Sequence, residues 1–172
     1  MEVLEAIKTR RSCRRYRQEQ VSDHLLGQVL EAGTWAPTAR GLQNPYIVAV
    51  QNPEIIAQLT RMNAEVMGVK GNPYYGAPTY VLVFAPEGDA NGLQDGSLVL
   101  GNMMLAAHAL GLGSCWINRE IEMFATPEGR ELMQRFGLPE GLQGVGALAL
   151  GFPEPENKPV KPRKEDYARV IK

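Results

Sequence analysis

Apolar positions recur along this chain with two different periods. Val3, Leu4 and Ile7 share one face of a helix over Glu2 to Lys8. Leu25, Leu26, Val29 and Leu30 do the same in a helix that Ser22 can cap and that runs to about Ala32. Asn52-Pro53 is a cap followed by a first-turn proline, opening a helix towards Met67, and Thr126-Pro127-Glu128 opens another that Leu138-Pro139 stops. Short apolar runs bounded by turn residues predict strands at Ile47 to Val50, Tyr80 to Ala85, Ser114 to Ile117 and Val145 to Leu150. Two stretches, TWAPTARGLQNPY and GVKGNPYYGAP, are interrupted by proline and glycine and predict loops. Residues 118–125 are assigned to no element.

Asp95 to Leu110 is of another kind. Leu98, Val99, Leu100, Met103, Met104, Leu105, Ala106, Ala107, Ala109 and Leu110 cover nearly every face of this helix. A helix apolar all round lies at the centre of a fold or in a subunit interface. Gly111 ends it. The resulting order, α-α-β-α-β-α-β-α-β and a Pro- and Lys-rich tail, predicts an α/β or α+β sandwich with few strands. Its 172 residues suit one domain spanning 1–172.

Composition narrows the setting. At 44% hydrophobic and 22% charged, the chain has the balance of a soluble globular protein. No apolar window approaches a membrane span, and MEVLEAIKTR lacks the apolar core of a leader peptide. Cys13 and Cys115 form no CxxC and no metal-ligand spacing, so a reduced, cytoplasmic setting is expected.

Charge changes the picture more. Residues 8–17, KTRRSCRRYR, hold six basic side chains and no acidic one, in a chain of formal net charge -1. Residues 158–172 hold six more: Lys158, Lys161, Arg163, Lys164, Arg169 and Lys172. Chain termini often lie close together, and two such segments would repel unless an anion sat between them.

Most catalytic chemistries are absent from the pattern. There is no P-loop, and GLGSCW at 111–116 lies between a helix and a strand, the reverse of a dinucleotide fingerprint; Gly111 and Gly113 read as a helix stop and a tight turn. His24 and His108 sit in helices with no nucleophile motif around them, and Cys115 reads as a small buried hydrophobe. Cys13, between arginines, has a thiolate-favouring context but reads first as a packing residue. No metal-ligand spacing occurs, so no metal is expected. The arginines admit three readings: a solvated surface, a nucleic-acid patch, or a pocket for a compact anion such as a phosphate monoester. The sequence pI of about 6.2 and the acidic middle of the chain speak against nucleic acid. Arg supplies bidentate donors and Ser a hydroxyl, which suits a phosphate carried by a larger organic cofactor.

Four segments then line up. Arg10-Arg11-Ser12-x-Arg14, APTARGLQ at 36–43, GNMMLAAHALGLGSCWI at 101–117, and Lys161-Pro162-Arg163 follow one another as in the nitroreductase family of FMN-dependent oxidoreductases, which the chain resembles over essentially its full length. The resemblance implies an α+β three-layer sandwich, a mixed, mainly antiparallel sheet flanked by helices, forming an intertwined homodimer with FMN at the interface. It implies FMN contacts from Arg10, Arg11, Ser12, Arg14, Lys161 and Arg163. Pro37, Thr38, Ala39 and Gln43 would reach the FMN of the partner subunit. Trp116, Ile117 and Asn118 would line the flavin, and Asn72 matches an asparagine near it. Arg15 and Arg17 do not match the motif and read as surface. Gly41 stands where the family often has Asn, and Thr38 keeps the hydroxyl of a common Ser. Little room remains for a lid between Met67 and Pro78, so an open substrate pocket edged by Arg40, Tyr74 and Tyr75 is expected. The implied activity is ping-pong hydride transfer from NAD(P)H through the flavin to a nitroaromatic, quinone or similar acceptor, with no catalytic side chain, membrane or nucleic acid involved. The rivals are a relative using flavin for dehydrogenation or flavin modification, and a non-enzymatic phosphate- or nucleic-acid-binding protein.

Overall fold

The computed structural model describes residues 1–155 and 161–172; Lys158, counted in the basic tail, lies outside them. Four strands, β1 (Tyr46–Val50), β2 (Thr79–Pro86), β3 (Gly113–Ile117) and β4 (Leu142–Gly151), form one sheet in the order β1-β2-β4-β3. All three pairings are antiparallel. The parallel component is an isolated bridge, Ser12 to Ser114, at the outer edge of β3.

Side-chain alternation along the central strands divides the interior in two. Tyr80, Leu82 and Phe84 of β2 with Ala147 and Ala149 of β4 face one core. That core is closed by α3 (Pro53–Met67), α5 (Glu120–Ala125) and α6 (Pro127–Arg135). Val81, Val83 and Ala85 with Leu148 and Leu150 face the other, against α2 (Asp23–Thr34) and α4 (Gly92–Ala109). The predicted α+β sandwich is therefore the observed one: helices, sheet, helices. β2 is buried along seven of its eight positions, which explains why it reads as a continuous apolar run.

The caps read from sequence form. Ser22 accepts from Leu25 N, Asn52 from Glu54 N and Ile55 N, and Thr126 from Gly129 N. α5 was not foreseen. It has six residues and its N-cap, Arg119, makes no side-chain cap bond, so the acids of its first turn, Glu120 and Glu122, are a weak local signal for it. Tertiary packing makes it: a Cβ on Gly144 of β4 would stand 2.4 Å from the Glu120 carbonyl oxygen, so only glycine lets α5 start against the sheet.

Several helices leave apolar side chains outside the chain, among them α3 with Val66 and Met67 and α5 with Ile121, and two more stand out. On α1 (Val3–Thr9), Ala6 is buried while Val3, Leu4 and Ile7 are exposed. On α4, Val99, Leu100, Met103 and Ala107 are buried, but Leu93 and Leu98 are exposed and Met104 and Leu105 only half-buried. No helix among the described residues is long and apolar enough to cross a membrane.

Candidate functional site

The arginine segment reaches its place by strand pairing. Cys13 N donates to Ser114 O at 2.9 Å, and Arg17 N donates to Phe152 O at 2.9 Å. Residues 12–17 are thereby laid across the ends of β3 and β4. Gly113 is not the tight turn expected of it. It is a close-approach position, where a Cβ would lie 2.7 Å from Cys13 Sγ.

Within this segment the arginines part company. Arg11 Nη1 donates to the carbonyls of Lys8 and Arg10, so its guanidinium caps the C-terminus of α1. Arg15 lies 3.8 Å from Glu154 and Arg17 is exposed, as the surface reading of both required. Arg14 stacks over the Tyr75 ring, 5.6 Å from its centroid. Arg10 is half-buried, and its buried Nη1 has no hydrogen-bond acceptor among the described residues. Burial first, then the charges of Arg11 and Arg163, lower its pKa from the usual arginine value. The basic tail thus does come close to the arginine segment, with positive charge facing positive charge. The same field, after burial, lowers the pKa of His108, which shares a 2.8 Å hydrogen bond with Thr9. Burial raises that of Cys115, against the opposing pull of Arg14, the Ser12 hydroxyl and Arg10, so Cys115 is a neutral buried thiol.

A cavity of about 270 Å³ lies here, lined by Arg10, Ser12, Cys13, His108 and Ser114 among others. It is slightly smaller than a complete small-molecule site, as one lobe of a larger site would be. A larger cavity, about 770 Å³, lies elsewhere, between α3 and the 69–78 loop. Its walls mix apolar side chains such as Ile56, Val69 and Pro78 with the amides of Gln18, Gln20 and Gln51, its charged residues are Arg61, Glu65 and Lys70, and it has no arginine cluster. Asn72 belongs to that wall and its Oδ1 accepts from Tyr74 N at 2.9 Å, so it is not brought together with the arginines.

Beyond β3, Trp116 Nε1 donates to Asn118 Oδ1 at 2.7 Å. Asn118 is exposed and Ile117 buried. The Asn118 carbonyl accepts from buried Asn63 at 2.9 Å. Tyr74 is no pocket edge. It is fully buried, stacked on Tyr80 with ring centroids 3.9 Å apart, and its hydroxyl donates to Glu120. Its neighbour Tyr75 is exposed under Arg14.

The 36–43 loop stands apart from the arginine segment within one chain. Ala39 N donates to both carboxylate oxygens of buried Asp95, at 3.1 and 3.0 Å, and Gln43 N donates to Thr38 Oγ1 at 2.9 Å. Asp95, read from sequence as a helix start, is the anchor of this loop. Pro37 and Arg40 are exposed. Among the described residues, non-glycine backbones with positive φ are Arg40, Gln43, Tyr75 and Arg119. The first three are candidate site residues and the fourth follows Asn118. Such conformations cost of order 1–3 kcal/mol each and gather where function holds them.

Comparison with known proteins agrees with this geometry. The model of the nitroreductase family matches residues 7–152. The chain is 30% identical, over 89% of its length and 78% of the relative's, to a Methanothermobacter thermautotrophicus protein provisionally named an NADH dehydrogenase/NAD(P)H nitroreductase. It is 28% identical, over 94% of its length and 70% of the relative's, to the FMN reductase [NAD(P)H] of Bacillus subtilis. It superimposes on the crystal structure of a Bacteroides fragilis nitroreductase with bound FMN at a TM-score of 0.92, with 30% identity and 100% of both chains covered. The chain belongs to the nitroreductase family.

Proposed function

We propose that the protein is an FMN-dependent NAD(P)H oxidoreductase of the nitroreductase type. The observation that supports this best is Arg10: a half-buried guanidinium with an unmatched buried N–H, faced by Arg11 and Arg163. Arginine cannot shed its proton at such a site, so an acceptor-rich anion is the fitting partner, and a phosphate monoester answers both needs. When bound, FMN supplies two-electron hydride chemistry, taking hydride from NAD(P)H and passing it to a nitroaromatic, quinone or similar acceptor.

The chain's part is to bind and orient. Arg10, Ser12, Lys161 and Arg163 hold the phosphate end. Arg14, steadied on Tyr75, places a positive charge towards the flavin, which favours its anionic reduced form. Trp116, Ile117 and Asn118 line the ring system. Pro37, Thr38, Ala39 and Gln43 serve the site of a second subunit, which is why they lie apart from Arg10 within one chain. The uncovered faces of α1 and α4 form the contact between the two subunits. Arg40 and Tyr75 edge an open acceptor pocket. The chain is one FMN-binding domain over residues 1–172, and the reaction needs no side-chain acid or base and no metal.

The test is an absorbance spectrum of the purified protein before and after anaerobic NADH. Flavin bands that bleach support the reading. A colourless protein that takes up no added FMN overturns it.

A further inference from the structure

Asn63, Tyr74 and Glu120 form a polar cluster joined to the end of β3. All three are fully buried. Asn63 Nδ2 donates to the Asn118 carbonyl at 2.9 Å and to the Tyr74 hydroxyl at 3.4 Å. The Tyr74 hydroxyl in turn donates to Glu120 Oε1 at 2.9 Å. These bonds settle which end of the Asn63 amide is which. They also leave two buried oxygens without a hydrogen: Asn63 Oδ1 and Glu120 Oε2.

An ionised carboxylate with no cation bonded to it is expensive in a dry interior. The adjacent arginine, Arg119, donates to the Asn118 carbonyl and not to the carboxyl. One hydrogen repairs both defects. If Glu120 keeps its proton, Oε2 becomes a donor, and the acceptor waiting in the same cluster is Asn63 Oδ1.

We propose that Glu120 is a protonated carboxyl that donates from Oε2 to Asn63 Oδ1, and that it is a positioning residue for the Asn118 carbonyl and the Trp116–Asn118 wall of the site. The role of that wall rests on the flavin reading above. The neutral carboxyl holds Asn63, Asn63 holds Asn118, and the loop keeps its shape although Arg119 sits at a φ of 89°.

The electrostatics agree with the geometry. Burial pushes the Glu120 pKa from 4.5 up to about 8; Tyr74, its own backbone and Arg119 oppose the rise, and Glu122 adds to it. Burial, then Glu120, raises Tyr74 well above the ordinary tyrosine value, so it stays a donor. The other charged groups on the packed helices lie at the surface: Glu54 of α3 and Glu131 and Arg135 of α6 are exposed, and the rest are paired. Arg61 of α3 bonds Glu65 and Glu128, Glu128 of α6 also bonds Gln58, and Arg130 of α6 bonds Glu87. From β4, Gly144 meets Glu120. The folded chain therefore binds more protons than the unfolded one between the two pKa values. Stability is greatest below the unfolded value, declines above it, and its contribution is lost once pH passes about 8.

The experiment compares the wild type with Glu120→Gln, whose amide donates where the carboxyl would. The thermal midpoint of the FMN-free chain and the Kd for added FMN are followed from about pH 6.5 to about pH 9.5. The wild type is expected to lose midpoint and to bind FMN about tenfold more weakly at the alkaline end. The Gln variant is expected to bind FMN like the wild type at neutral pH, to have a midpoint there no lower than the wild type's, since it has no proton to take up on folding, and to lack that transition. A protonated-carboxyl infrared band at neutral pH should be present in the wild type and absent in the variant. A transition shared by both proteins, a Gln variant that fails at neutral pH, or no such band overturns the proposal. If the chain binds no FMN at any pH, the flavin reading fails separately, while the midpoint and the infrared band still decide on Glu120.

Discussion

Arg10 and Glu120 present the same problem with opposite solutions. Each has a buried polar atom that no described residue satisfies. Glutamate can escape by taking up a proton, and its environment raises its pKa until it does so near neutral pH. Arginine has no such exit. Its pKa is lowered by burial and by like charges, but an arginine starts so far above neutral that it remains a cation. A titratable group can become a neutral internal part, whereas a group that cannot titrate calls for a ligand. That contrast separates the supporting region of this site from its binding region.

Substitutions can break the contrast. The largest effect is expected from Gly144→Ala, whose Cβ would meet the Glu120 carbonyl oxygen at 2.4 Å, backbone against side chain with nothing free to move. A loss of about 3 kcal/mol in stability is expected from such overpacking, measured by denaturant unfolding. Arg10→Ala comes next: it removes the unmatched donor and should weaken FMN binding by about 2 kcal/mol, roughly thirtyfold, with little change in the unfolding midpoint. A variant that purifies fully loaded would refute the phosphate assignment of Arg10, and an Arg14→Ala variant that does so would refute the placing of Arg14 against FMN. Gly113→Ala mixes the two regions, because its Cβ would press Cys13 at 2.7 Å and lift the arginine segment from β3. About 1–2 kcal/mol should be lost from both stability and FMN affinity. The smallest effect is Tyr75→Ala, which removes the ring beneath Arg14. A loss of about 0.5–1 kcal/mol in affinity is expected, a few-fold change by fluorescence titration.

The two regions also differ in how far they could be read in advance. The arginine segment was legible because its signal is local: R-R-S-x-R is a run of uncommon charge, and the tail repeats it. The supporting cluster was not. Asn63 and Glu120 are 57 positions apart in the chain and neither lies in a motif. Tyr74 and Tyr75 are adjacent, yet one is core and the other surface, because Tyr75 has a φ of 57° and turns the chain between them. Asn72 shared a loop with Tyr75 but faces another cavity. Asp95 looked like a helix start and holds a loop 56 residues away.

Local chemistry in the sequence was enough for the periodicities of the helices and strands, the Ser22, Asn52 and Thr126 caps, a sandwich with few strands and the place where positive charge gathers. These depend on neighbours within a few residues. The choice of α+β over α/β came from the family resemblance. The tertiary structure alone decided which apolar faces stay uncovered, as on α1 and α4, and that a six-residue helix forms at Glu120. It also decided that Gly113 and Gly144 are points of close approach. The physical reason is distance along the chain. Burial, desolvation and steric clearance are set by atoms that the fold brings together from remote positions, and no window of sequence contains both partners.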